Sequence, residues 1–409
     1  MEIKTKINKE DWELVRQQKP NWSDDGKDLN VYKVKISELH YNEENGRIAT
    51  WISTYTSDPN NRPLDTLTRE EFNDVIENFI VLSNKKDSLT NLENDIKKKT
   101  QLNPGVILTD GTIVSGNRRF TALRHLYKQD YDETYGYFEC FIVDYPESKQ
   151  AKEFVKLIET KTQFGVVAEE DYNPIDRLVT IYKYLINEDT KIWTIKEYAK
   201  KIGIKESEAE NLYYRASVLV DYLDFIGQPG AFHIARIKKL DGPIAELPLL
   251  YKRIHDTKPE EWNRIKILFY SEMQKQGDRT RSIRGLKTAY LKNPEEFDRL
   301  LTNLYKKQEF AEEEKERELK QTDNHLSVEA DVNNHRIVTL DDSDIQDAAN
   351  RTKKIEAREK QKKKVSSARD SLNSVELDML PFMSEEDKDS IKKDIERIKS
   401  LLETIEGKL

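Results

Sequence analysis

The fourteen residues from Asp110 to Leu123 constrain the chain more than any other stretch, because they demand a turn, a strand and a helix start in immediate succession. Asp110-Gly111 lies between the apolar pairs Ile107, Leu108 and Ile113, Val114, which predicts a two-residue hairpin turn with both central residues at positive φ. Beyond Gly116, the residues Phe120, Leu123 and Leu126 recur at helical spacing, so Gly116 to Arg119 are expected where the second strand passes into a helix N-terminus. Free amide protons, the positive end of the helix dipole and the guanidinium forks of Arg118 and Arg119 would converge there on a polyphosphate. Taken alone, Gly-x-Arg-Arg is equally compatible with a solvated arginine pair beside a turn glycine. The order of its neighbours decides between the two.

Read as "DGTIVSGNRRFTAL", this run resembles the signature of the ParB and sulfiredoxin superfamily, in which a similar turn holds the phosphates of a nucleotide. Upstream, "VYKVKISELHYNEENGRI" is similar to the family's opening strand and its Asn-x-Arg loop, and "LENDIKKKTQLNPGVIL" to the helix and Pro-led strand before the signature. Downstream, "ECFIVD" is expected as the next strand, and "DYNPIDRLVTIYKYLI" resembles the helix that leads into ParB's DNA-binding segment. The resemblance covers about residues 30 to 225.

It implies an α+β fold, a small mixed-sheet ParB/sulfiredoxin-like domain followed by an all-helical region and a C-terminal coiled coil or helical hairpin. It also implies a cofactor, a nucleoside triphosphate (CTP or ATP) with Mg²⁺. Gly116, Asn117, Arg118, Arg119 and Thr121 would be the nucleotide-binding residues. Glu159, in the faint echo Glu159-Thr160-Lys161-Thr162-Gln163 of a metal and phosphate motif, would be the catalytic and metal-binding carboxylate; a plain surface carboxylate is the competing reading. Two departures bear on chemistry. Asn117 stands where a sulfiredoxin has its cysteine and ParB a glutamate, and about five extra residues around Phe164-Gly165-Val166-Val167 precede Asn173-Pro174. Sulfur chemistry is therefore not expected, and binding is better supported than hydrolysis.

Composition excludes several classes. The single cysteine, Cys140, removes any disulfide framework or cysteine-rich zinc site and reads as a small buried residue in a strand. No apolar run approaches a membrane span and Met1 to Lys6 lack a signal-peptide core, so a cytoplasmic protein is expected. A net charge of -8 argues against coating nucleic acid through bulk electrostatics and confines any basic face to particular segments.

One such segment is Thr194 to Leu219, which reads as a helix-turn-helix with Ala199, Gly203, Ala209 and Leu212 at the small, turn and contact positions. Lys196, Lys200, Lys205, Asn211, Tyr214 and Arg215 are its candidate DNA contacts, although Glu206, Glu208 and Glu210 at the start of the second helix would repel phosphates. Arg279, Arg281 and Arg284 form a second candidate edge, and Phe232, His233, Tyr251, His255, Trp262 and Phe269 are expected to pack a helical core.

From these signals the domains are 1–165 for the nucleotide-binding unit, 166–305 for the helical unit, 306–350 for a charged linker and 351–409 for a helical hairpin or coiled coil. Ser384 to Asp387 reads as a capping box. The residues Ile391, Ile395, Ile398, Leu402, Ile405 and Leu409 then form a narrow apolar seam that pairs with Val365, Ala368, Leu372 and Val375, with a second chain, or with both. The resemblance favours a homodimer, and the C-terminal helices are also a candidate surface for another protein.

The function so implied is a ParB-like, CTP-dependent DNA-binding protein with a clamp, partition or regulatory role. The alternatives are a nuclease or kinase of the same fold acting in DNA modification or defence, and an interaction scaffold.

Overall fold

The computed structural model describes residues 12–23, 26–85, 87–164, 173–277, 279–321 and 338–409. The first part holds strands β1 (Glu13–Gln18) and β2 (Leu29–Lys35), helices α1 (Ala49–Thr56), α2 (Arg69–Ser83) and α3 (Ser88–Lys99), strands β3 (Gly105–Leu108) and β4 (Ile113–Ser115), helix α4 (Asn117–Asp130), strand β5 (Tyr137–Val143) and helix α5 (Lys149–Phe164). The strands form one sheet in the order β1-β2-β5-β3-β4, with β3 and β5 parallel and every other pair antiparallel.

Both faces of this sheet are covered, because successive side chains of a strand point to opposite sides. Ile107, Ile113, Val34, Phe138 and Cys140 pack with Phe72, Ile76, Phe120 and Leu123 on the side of α2 and α4. Val31, Val106, Leu108, Val114 and Phe141 meet Trp22 and the Val155 and Ile158 side chains of α5 on the other. The adjacent apolar pairs Ile107, Leu108 and Ile113, Val114 are thus divided between two cores. Cys140 is fully buried in β5, and burial pushes its thiol well above its ordinary pKa.

The β3–β4 turn differs from the expected two-residue form. Gly111 has φ +88° while Asp110 is not at positive φ. The Gly111 amide donates to the Leu108 carbonyl (3.0 Å), and the Leu108 amide to the Thr112 carbonyl (2.9 Å). The loop therefore has three residues, Thr109 to Gly111, the arrangement in which a type I turn is followed by one left-handed glycine. Asp110 contributes a side-chain bond instead, its Oδ1 accepting from the Thr112 amide at 3.0 Å.

The second part is helical: α6 (Pro174–Ile181), a π-helical turn (Tyr182–Ile186), α7 (Ile195–Ile202), α8 (Glu206–Phe225), α9 (Phe232–Ile237), α10 (Asp241–Ala245), α11 (Pro248–His255), α12 (Pro259–Met273), α13 (Thr280–Lys292) and α14 (Pro294–Gln321), then α15 (Asp342–Asn373) and α16 (Glu385–Glu406). Asn173 caps α6, accepting from the Ile175 amide, with Pro174 in the first turn. Trp262, Phe269 and Tyr251 lie in the helical core, whereas His233 and His255 sit at its edge.

The helical core continues into α15 through Leu340, Ile345 and Ala348. The segment expected as a linker is thus helical to Gln321, and residues 342–350 are packed structure; residues 322–337 lie outside the described residues. Ser384 caps α16 as expected, accepting from the Asp387 amide at 3.1 Å. No residue of α16 is buried, and Val365, Leu372 and Val375 are exposed, so the seam is not closed by an intrachain hairpin. No helix among the described residues is long and apolar enough to cross a membrane.

Candidate phosphate-binding cavity

Gly116 sits at the junction that the signature run requires. Strand β4 ends at Ser115, Gly116 is the N-cap at φ +99°, and α4 begins at Asn117. A Cβ at position 116 would lie 2.9 Å from Phe138 Cζ and 3.2 Å from the Gly105 Cα, so both conformation and space exclude a side chain there. The first helical hydrogen bond runs from the Phe120 amide to the Gly116 carbonyl (3.0 Å), and no side chain caps the helix. An uncapped helix start of this kind is where backbone amides can meet an anion.

These amides border a cavity of about 440 Å³ whose wall includes Arg47, Gly116, Asn117, Arg118, Arg119 and Thr162. Its described lining contains three arginines and no carboxylate. Arg118 donates to the Ser88 hydroxyl at the start of α3, and Arg119 donates to the Asn103 carbonyl before β3, so each guanidinium is held by a different segment. Burial, and then the like charge of Arg118, depress the Arg119 guanidinium to about 10. Such a pair is stabilised by an anion. Asn117 is 7% exposed and its Oδ1 is buried without a hydrogen-bond partner among the described residues.

Thr121 and Glu159 do not occupy the places expected of them. Thr121 is turned into the core, where its hydroxyl meets the Tyr41 hydroxyl (2.8 Å) and the Asn117 carbonyl (3.0 Å). Its contribution is to brace the first turn of α4. Glu159 is 1% exposed. Its Oε1 accepts from the Gly46 amide (3.4 Å), while Oε2 accepts from the Tyr184 hydroxyl (3.3 Å) and pairs with Lys156 (3.4 Å). Burial works against the Lys156 ammonium, but Glu159, Tyr184 and Glu44 outweigh it and hold its pKa above the ordinary value. A carboxylate engaged on both oxygens is not a ready metal ligand or base. No group of three His, Cys, Asp or Glu side chains among the described residues is arranged to hold a metal ion. The extra residues before Asn173 fall largely in 165–172, outside the described residues.

Arg47, Ser88 and Asn103 were not singled out from the sequence, while Thr162 stands within the phosphate-motif echo read there. Arg47 was within reach, since it ends an Asn-x-Arg loop in which Asn45 Oδ1 accepts from the Arg47 amide at 3.1 Å. A larger cavity of about 740 Å³ lies beyond the β3–β4 hairpin, but its wall mixes Lys152, Lys156 and Lys183 with Glu43, Glu44 and Glu147 and shows no preference of sign.

In the helical part, α7 and α8 are joined by a short turn with Gly203 at φ +78°, and Ala199, Ala209 and Leu212 are buried. The expected nucleic-acid contacts divide. Lys196, Lys200, Lys205, Asn211 and Arg281 are exposed. Arg279 is buried and donates to the carbonyls of Met273 (3.2 Å), Lys275 (2.5 Å) and Lys238, so it closes a helix end instead of facing a phosphate. Tyr214 donates to Asp256 (2.7 Å), Arg215 reaches the Asp241 carbonyl (3.5 Å), and Arg284 pairs with Glu246 (2.6 Å). These three side chains are already committed to intramolecular bonds.

No protein-family model matches the chain, and no curated protein matches it. Among solved structures, the chain is similar to the C-terminally truncated chromosome-partitioning protein ParB from Caulobacter crescentus complexed with CTP-gamma-S. The identity is 13% and the TM-score 0.20, over 53% of this chain and 92% of that one. It is also similar to the same protein complexed to the centromeric parS site (16%, TM-score 0.27, 54% and 90%) and to a Pnob8-like ParB-N domain (12%, TM-score 0.33, 61% and 90%). These three solved structures are described as ParB or ParB-N structures.

Proposed function

We propose that the chain binds a nucleoside triphosphate, CTP in the first instance, in the cavity beside Gly116, and that this binding governs its engagement of DNA. One observation carries the reading: Arg47, Arg118, Arg119 and the uncapped start of α4 meet at a single cavity whose described wall holds no carboxylate. Guanidinium forks and first-turn amides are the donors that a phosphate chain requires. A left-handed glycine lets the backbone approach the ligand closely.

Magnesium is not given a protein ligand here, since Glu159 is locked in its own bonds. A cation would travel on the phosphates. For DNA, the reading rests on α7 and α8 with Lys196, Lys200 and Lys205 beside phosphates and Asn211 toward the bases. Glu208, 3.7 Å from Arg177, and Glu210, 2.6 Å from Lys252, are partly neutralised within the chain.

The test is a calorimetric titration of the full chain with CTP, ATP, GTP, UTP and inorganic triphosphate, each with and without Mg²⁺. Binding of one or more nucleotides by the unaltered chain and loss of at least about tenfold in affinity in Arg118→Ala, a removed charge-assisted contact, are expected. Unaltered affinity in a folded Arg118→Ala variant would reject the cavity.

A further inference from the structure

The bonds that withdraw Glu159 from metal chemistry place it between the cavity and the helical part. On one side its Oε1 holds the Gly46 amide, next to Arg47 of the cavity wall. On the other its Oε2 takes the hydroxyl of Tyr184, which belongs to the π-helical turn. The Tyr184 ring then meets Trp193 edge-on at 5.6 Å, and Trp193 meets Tyr198 of α7 at 6.2 Å. All three rings are almost completely buried. π-Helical turns recur at functional positions, where one extra residue per turn re-aims a side chain.

We infer that Glu159 is a positioning residue that fastens the Arg47 loop to Tyr184, so that filling the phosphate cavity is transmitted through Tyr184 and Trp193 to the first helix of the helix-turn-helix. The inference rests on the nucleotide reading above. The Glu159 carboxylate is the first of the links. When a ligand draws Arg47 inward, the Gly46 amide moves with it, and Glu159 must follow or give up a buried bond. Losing a buried acceptor's partner is costly, so the carboxylate follows and carries the Tyr184 hydroxyl with it. A second link runs in parallel, since Asp176 of α6 accepts from the Thr50 amide at 2.8 Å just after the same loop. Two buried carboxylates on different helices therefore grip residues 46–50. A tie of this kind couples sites only if both ends bias the same element.

The experiment uses the full chain and CTP with Mg²⁺ as the probe. Affinity is read by calorimetry and the response of the helical part by tryptophan emission, with Trp193→Phe identifying the share that comes from Trp193. Tyr184→Phe keeps the ring but removes the hydroxyl. It is expected to leave affinity within about twofold of the unaltered chain and to reduce the nucleotide-induced change at Trp193 severalfold, the remainder passing through the Asp176 link. Glu159→Gln keeps an acceptor for Gly46 and serves as the check on a metal role: its dependence of affinity on Mg²⁺ is expected to match that of the unaltered chain. A full Trp193 response in Tyr184→Phe, or loss of Mg²⁺ dependence in Glu159→Gln, overturns the inference while leaving the nucleotide reading standing. If no nucleotide binds the unaltered chain, that reading falls and the coupling falls with it.

Discussion

Glycines at positive φ in this chain are not equivalent, and two of them separate conformation from space. At Gly203 (φ +78°) a Cβ meets nothing within 4 Å, so Gly203→Ala carries only the left-handed penalty, about 1–2 kcal/mol. At Gly116 the same penalty is joined by contact with Phe138 and Gly105, both fixed in the sheet core. Urea denaturation should therefore show Gly116→Ala to be the more destabilised variant by about 1–3 kcal/mol, the cost of overpacking. Equal losses would mean that the Phe138 ring yields freely. A different balance governs Asp176. Burial raises its carboxyl to about 7, against the lowering effect of the bond from the Thr50 amide. Because the folded value lies above the unfolded one, near 3.9, the native state holds the extra proton between those values, and stability falls as pH rises through that window. Asp176→Asn keeps an acceptor without the charge. Its denaturation midpoint is expected to drop less than that of the unaltered chain between about pH 4 and pH 8, and parallel profiles would refute the assignment.

At the scale of elements, α3 owes its place to its neighbours, since Ile96 is its only buried residue. His125 of α4 stands between two carboxylates, Glu93 of α3 (Nδ1 to Oε1, 2.9 Å) and Glu77 of α2 (Nε2 to Oε1, 3.6 Å). Its bonds to Glu77 and then Glu93 raise the imidazole above its ordinary value, while partial burial opposes them. Burial also works against the Glu77 carboxylate, but His125, Arg124 and Lys128 hold it down to about 2. The imidazolium is thus a clip between three helices, and its contribution is complete below the unfolded value and disappears as pH rises through the folded one. In His125→Gln the difference in stability from the unaltered chain should be largest near pH 6 and shrink toward pH 8, followed by chemical denaturation; a difference independent of pH would exclude the clip. Since Ser88 of α3 holds Arg118, the same element shapes the cavity. These ties explain why the site was only partly legible in the sequence. Gly116, Arg118 and Arg119 announce themselves by adjacency, as do the Ser384 cap and the buried pattern of α7 and α8. Ser88 and Asn103, 30 and 16 residues from their arginines, carry no local signal, because only the folded sheet brings them near. Glu159 was found by motif, whereas its burial and its three partners are tertiary facts with no local signal. The Asp110-Gly111 turn went one residue astray because the Asp110 side chain replaces a second left-handed residue.

On the scale of the whole molecule, the far part of α15 and all of α16 are left uncovered by the other described residues. Beyond Thr352, α15 leaves the helical core and every residue to Lys364 is exposed. Its run Lys353, Lys354, Arg358, Lys360, Lys362, Lys363 and Lys364 faces only Glu356 and Glu359 of the same stretch. Helix α16 has the opposite balance, opening with Glu385, Glu386 and Asp387, and it presents Ile395, Leu402 and Ile405 to solvent along one side. Helices in proteins draw most of their stability from packing an apolar face, and a row of aliphatic side chains at four-and-three spacing gains stability when a second row covers it. Since no described residue covers it, a second copy is the occupant to test, with the seam and the opposed charges of α15 and α16 in its favour. Light scattering of the full chain is expected to give twice the chain mass, and the variant Ile395→Asp with Leu402→Asp, which puts charges into the seam, the mass of one chain. Circular dichroism checks the same pair for helix content, because an unpaired α16 should fray and lose signal that a merely surface-borne substitution would keep. A double variant that retains the mass and helicity of the unaltered chain would show that the seam has no part in assembly, and would leave the basic face of α15 without its acidic counterpart.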